Sequence, residues 1–200
     1  MDRARALLLC AAAAVLLAGC FGTAATRPTR LFVLSATVAP AEPGVSATDL
    51  RLAVGRITLP ERLNRPQIVT RTGANEVHAD DFSHWAESLE RSIPRVLSEN
   101  LARLGGTDRI FVTPWPTNLE SDLRVEIAIL EFEGNRDREV SLIARWRWVR
   151  ADGSEAHPLQ VSSYAESAAN RSTEALVAAM SRALGSLSRE IASAIPIAPP

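Results

Sequence analysis

Lysine is absent from this 200-residue chain: its 22 basic side chains are all arginine, against 23 acidic ones, for a net charge of −1. The signs are interspersed, so there is no basic stripe for a nucleic acid and no polybasic patch for anionic lipid. We ascribe the exclusive use of arginine to the base composition of the genome. Cysteine occurs only twice, at Cys10 and Cys20. The rest of the chain therefore has no thiol for a disulfide, a zinc site or a nucleophile, and stability has to come from packing. Also missing are a G-x-S-x-G elbow, a phosphate-cradling glycine loop and an HExxH pair, which removes the usual marks of a hydrolase, a nucleotidase and a zinc protease. The expectation is a non-enzymatic protein with no cofactor and no metal.

Long hydrophobic runs are also lacking. The longest, residues 6–17, follows Arg3 and Arg5 and leads into Leu17-Ala18-Gly19-Cys20. A bilayer-spanning helix needs about 20 apolar residues, so this run is too short to stay in a membrane. With its basic start and small residues before the cysteine, it reads as a secretory signal ending in a lipobox, cleaved between Gly19 and Cys20. The Cys20 thiol would take a diacylglyceryl group and its freed amine a further acyl chain such as palmitate. Each buried methylene contributes about 0.8 kcal/mol, and two chains already anchor stably. Phe21 stands where an aspartate commonly retains such proteins at the inner membrane. The expected address is the outer membrane, facing the periplasm.

The organisation that follows is a signal at 1–19, a lipidated tether at 20–30, one domain at 31–195 and a Pro-rich tail at 196–200. Within the domain, strands are expected at 31–34, 50–59, 67–71, 76–79, 110–113, 121–133, 139–150 and 158–166. Residues 36–48 read as a loop, and Gly55 as a bulge or a close approach. Gly134-Asn135 and Asp152-Gly153 read as hairpin turns. The first helix is expected from Asp80 or Asp81, because Phe82, Trp85, Leu89, Ile93, Val96, Leu97, Leu101 and Leu104 recur at helical steps. Pro94 should kink it. In the long strand after it, Leu123, Val125, Ile127 and Ile129 share one face and Ala128, Leu130 and Phe132 the other. A second helix, capped by Ser172, carries Leu176, Met180, Leu184, Leu187, Ile191 and Ile195 on one stripe. The fold class is α+β: a mostly antiparallel sheet with two amphipathic helices packed on one face.

Few constellations could carry chemistry. His78, Asp80, Asp81 and His84 bring two imidazoles and two carboxylates within seven positions, but lack a fixed ligand geometry. The plainer reading makes the aspartates helix caps. Ser83-His84 is a chance neighbour pair. Glu126, Glu131 and Glu133 could suggest paired carboxylates, and a solvated strand face is the simpler account. Trp146 and Trp148 share one strand face and read as core, while Arg145 and Arg147 point the other way and are open to a partner.

The segment Leu59-Pro60-Glu61-Arg62-Leu63-Asn64-Arg65-Pro66-Gln67-Ile68-Val69-Thr70-Arg71 resembles the signature of the ABC-type transport auxiliary lipoproteins, the PqiC-like family. So do Phe82-Ser83-His84-Trp85-Ala86-Glu87-Ser88-Leu89, residues 96–101, Leu130-Glu131-Phe132-Glu133 and the helix around 176–191. Pro94 departs from the pattern. The resemblance implies a non-enzymatic lipoprotein of an envelope transport system, seated on the outer membrane through Cys20. Its implied partner is an inner-membrane protein bearing MCE (mammalian cell entry) domains, whose periplasm-spanning lipid conduit it would dock. A homo-oligomeric ring is compatible with that role. Contact candidates are Arg62, Arg65, Pro66 and Gln67, on a segment stiffened by proline, together with Arg145 and Arg147. The same segment could equally be a packed connection between two strands. The alternative function is a carrier or chaperone that itself binds lipid or an outer-membrane protein, which would need an apolar pocket between sheet and helices.

Replacing the acceptor thiol by Cys20→Ser is expected to move the protein from the membrane to the soluble fraction. Continued sedimentation with membranes would argue against lipidation.

Overall fold

The computed structural model describes residues 27–41, 49–114 and 120–196, so the signal, Cys20 and the distal tail lie outside the described residues. Its strands are β1 (Arg30–Phe32), β2 (Leu52–Thr58), β3 (Gln67–Gly73), β4 (Glu76–Trp85), β5 (Ile110–Val112), β6 (Leu123–Asn135), β7 (Glu139–Arg150) and β8 (Glu155–Ser167). The helices are α1 (Leu89–Gly105) and α2 (Thr173–Ser193), with a single 3₁₀ turn at Glu61–Leu63. The fold is α+β, with eight strands in one sheet among the described residues.

That sheet is mixed. Strand β6 pairs along one edge with β7, and β7 with β8, both antiparallel. Its other edge is divided: Leu123 to Ala128 run parallel to β2, and only Gly134 and Asn135 pair with β3, also parallel. Strand β3 continues antiparallel to β4, and β4 runs parallel to β1, while β5 runs parallel to β2. The parallel pairings concentrate in the first half of the chain, where α1 and long connections return the backbone in the same direction. The second half is an antiparallel meander.

Both helices bury their apolar stripes on one face. Trp146, Trp148, Phe132, Leu142, Leu176 and Met180 are each under 2% exposed, so the layer between sheet and helices is filled. Each indole N–H is satisfied: Trp146 Nε1 donates to Ser162 Oγ at 2.8 Å and Trp148 Nε1 to the Ile191 carbonyl at 3.1 Å. Ser172 caps α2, its Oγ accepting from the Ala175 amide at 3.1 Å.

The first helix does not begin at Asp80 or Asp81. Strand β4 runs on to Trp85, and α1 starts at Leu89 after Ser88. Spacing alone placed Phe82 and Trp85 on the helical stripe. Instead β1, some fifty residues upstream, pairs with 83–85 and takes up their backbone groups, and the Trp85 amide donates to the Pro66 carbonyl at 2.7 Å. The later start puts Pro94 in the second turn of a helix that continues to Gly105.

Two other differences come from local geometry. A bulge at Leu130 inserts one residue between Ile129 and Glu131, and this returns Phe132 to the buried face, opposite Leu142. Gly134 is a strand residue, and the turn is made by 136–138 with Arg138 at φ 64°. At position 134 glycine serves packing, because a Cβ there would lie 2.5 Å from Leu176 Cδ1. Asp152-Gly153 forms the other hairpin turn, with Gly153 at φ 83°.

The described part of the expected loop, through residue 41, is pinned across both helices. Asn100 Oδ1 accepts from the Thr37 and Val38 amides at 3.1 and 3.4 Å, and its Nδ2 donates to Ser188 Oγ at 3.1 Å. Arg95 donates to the Leu34 carbonyl at 3.1 Å, and the Ser35 amide donates to Ser181 Oγ at 3.2 Å. Leu34 and Val38 are buried beneath this polar lacing.

In β2, Gly55 sits at the register shift opposite β6, where a Cβ would come within 2.9 Å of the Val125 carbonyl oxygen. Backbone cannot move aside as a side chain can. Gly55→Ala is therefore expected to destabilise the fold by about 1–3 kcal/mol, read as a lower urea midpoint with an unchanged slope.

Candidate partner surface

One face of the sheet lies against the helices; the other is open. On the open side β2, β6, β7 and β8 form a shallow groove of about 630 Å³, bordered by Arg56, Arg124, Glu126, Arg145, Arg147 and Leu159. Four arginines surround one carboxylate. Glu126 and Arg147 are direct cross-strand partners. Arg147 donates through Nε and Nη2 to Glu126 Oε2 at 3.0 and 2.9 Å, and Arg124 Nη2 donates to Oε1 at 3.1 Å. The hydrogen bond from Arg147 outweighs partial burial and, with Arg124, holds the Glu126 carboxyl below its ordinary value of 4.5.

Arg145 and Arg56 are different. Both are exposed, and neither has a carboxylate or carbonyl partner among the described residues. Arg56 also borders two further cavities, about 330 Å³ beside Leu59 and Glu61 and about 630 Å³ beside Glu87 and Pro114. Leu159 and Val161 on β8 are 57% and 62% exposed. They add apolar area next to Arg145, whose register partner is Val161. Arginine is among the side chains enriched at protein interfaces, and here two guanidinium groups stand unneutralised beside exposed aliphatic surface.

The residues expected to make contacts thus fall into separate roles. Arg62 is engaged inside the fold: its Nε donates to Glu133 Oε2 at 3.1 Å and its Nη2 to the Leu130 carbonyl at 3.5 Å. Arg71 Nη2 binds the other oxygen of Glu133. Arg65 and Pro66 are exposed and Gln67 half-buried at the start of β3, away from the groove-bordering set. Arg147 is held by Glu126, and Arg145 remains free. Arg56 was not singled out from the sequence, because its position after the Gly55 bulge is what turns it onto the open face.

The carboxylates do not form a solvated row. Glu133 is 1% exposed and shares its strand face with Glu131 and Glu126, yet it is held between two arginines and faces no other acid. That buried ion pair had no mark in the sequence beyond the alternation of β6. His78, Asp80, Asp81 and His84 are strung along β4, and the Asp80 carboxylate accepts from the Phe82 amide at 2.9 Å. Among the described residues no group of three or more His, Cys, Asp or Glu side chains is placed to hold a metal. Nor is any helix among them long and apolar enough to cross a membrane.

Comparison with known proteins is consistent with this architecture. The family model described as the ABC-type transport auxiliary lipoprotein component matches residues 32–192. The crystal structure of an uncharacterized protein superposes with a TM-score of 0.67 at 15% identity, covering 83% of this chain and 97% of the other. The crystal structure of protein XCC0632 from Xanthomonas campestris gives 0.68 at 15% identity, covering 82% and 93%. No curated protein matches.

Glu133→Gln would leave two guanidinium groups facing a neutral amide. Because both arginine side chains are about one-third exposed they can rehydrate, so the cost is expected near 1–3 kcal/mol, below that of a fully buried broken pair. In a double-mutant cycle with Arg71→Ala, urea unfolding is expected to show coupling.

Proposed function

The chain belongs to the ABC-type transport auxiliary lipoprotein component family, and from that premise we propose that it docks the far end of an envelope-spanning lipid conduit at the outer membrane. Membership makes it an auxiliary component of a transport system. No step of chemistry is assigned to it: it acts by binding and positioning. The outer-membrane address is supported by Phe21 after the acceptor Cys20, and the MCE-domain partner by the resemblance of residues 59–71.

The observation that carries the docking surface is the free charge of Arg56 and Arg145 on an open groove. Each of the groove's other two arginines is bound to Glu126, so the face keeps a net positive balance at neutral pH. It suits an acidic, partly apolar segment of a partner protein. Rim charges of this kind raise association rate and select partners more than they add affinity. The carrier reading needs apolar space between sheet and helices, and large side chains occupy that layer.

A photocrosslinking side chain at position 159, on the groove border and exposed, is expected to capture an MCE-domain protein in cells, while one at Arg171, exposed before α2, is not. Arg145→Glu should lower that capture without changing the urea midpoint. Capture of lipid or of a folding outer-membrane protein instead would favour the carrier function.

A further inference from the structure

Exposed large apolar side chains are not scattered evenly over the molecule. Leu31 is 68%, Val33 54% and Phe82 40% exposed, and all three lie at the β1–β4 end of the sheet. Leu31 and Val33 flank the buried Phe32, so both point away from the core, and Leu31 is the register partner of His84, two residues beyond Phe82. Arg27 stands over the Phe82 ring at 5.8 Å, while Arg30, on the other face of β1, lies over the Phe32 ring and 3.8 Å from Glu174. Among the described residues these three apolar side chains remain exposed to solvent.

The patch also lies where the lipid anchor must be. Cys20 is seven residues before Arg27, and seven residues reach at most about 25 Å even when fully extended. The β1 edge is therefore held close to whatever membrane the acyl chains enter. From this juxtaposition we propose that the phospholipid bilayer surface is the occupant of the patch: Leu31, Val33 and Phe82 seat in the interface, with Arg27 at headgroup level. The inference rests on Cys20 being lipidated, as the proposed function assumes.

Three side chains are too few to bind a membrane from free solution. They suffice once a short tether makes the contact intramolecular, because the effective concentration is then high. Asp80 on β4 stands near enough to Arg27 to interact with its charge and Arg30 is paired with Glu174, so seating is driven by apolar contact and depends only weakly on anionic lipid. The consequence is an orientation. β1 and β8 are opposite edges of the sheet, five strand spacings apart. A twist of about 20–25° per spacing turns the open face through roughly a right angle between them. With β1 seated on the bilayer, the groove with Arg145 and Leu159 is therefore directed to the aqueous space, where a partner would arrive.

The test uses the lipidated protein in phosphatidylethanolamine–phosphatidylglycerol vesicles containing brominated acyl chains. Since the processed chain's own cysteine is acylated, a fluorophore can be placed singly by Leu31→Cys or, as control, Leu159→Cys; both sites are exposed, so folding is not at risk. The expected result is loss of fluorescence at position 31, none at 159, and recovery at 31 when Val33→Asp is added while the protein still floats with vesicles. Unquenched signal at 31 in floating protein, or quenching insensitive to Val33→Asp, would overturn the seating and leave the anchor intact. Failure to float would overturn the anchor and the seating with it.

Discussion

Glu133 is the interaction on which the arrangement of this molecule turns. Strand β3 pairs with β6 in the sheet through Gly134 and Asn135 alone, so within the sheet β3, β4 and β1 form a wing joined to the meander at that junction. The Glu133 carboxylate binds Arg71 within β3 and Arg62 just before it. A buried carboxylate without partners would be expensive to desolvate. With two guanidinium groups converging on it, the same group becomes a lock on the relative position of wing and meander. Arg62 also reaches the carbonyl of Leu130, so the lock includes the bulge that restores the register of β6.

This explains why the family-like segment 59–71 has the composition it has. Pro60 and Pro66 limit the backbone, the 3₁₀ turn places Leu63 in the core, and Arg62 is delivered to Glu133. Arg65 and Pro66 are left on the surface. At Arg62 and Leu63 the segment is a packed connection between two strands, while the exposure of Arg65 and Pro66 leaves them open to contacts. A similar division holds on β7, where Trp146 and Trp148 fill the core, Arg147 is held by Glu126 and Arg145 stays free.

The helix pair depends on a second polar device. Asn100, Ser181 and Ser188 are buried, and each is satisfied by the segment around Thr37 or by a neighbouring helix carbonyl. Gly185 lets Thr37 come close, since a Cβ there would lie 2.5 Å from Thr37 Oγ1. The chain after β1 is thereby fastened to both helices. Any load on the N-terminal tether passes into the two-helix layer and the sheet below it, which suits a protein proposed to hold a partner from a membrane-anchored end.

Periodicity was sufficient for the α+β class, the second helix with its Ser172 cap, the three long strands, the Gly55 bulge and the core placement of both tryptophans. Each of these depends on patterns within a dozen neighbouring residues. What needed the tertiary structure was every feature whose partner lies far along the chain. Residues 80–85 read equally well as helix until β1 supplies a strand beside them. Gly134 reads as a turn until Leu176 descends on it. Glu133 looks solvated until Arg62 and Arg71, more than sixty residues away in sequence, close over it. Local spacing records which way a side chain points; only the folded chain decides what stands there to meet it.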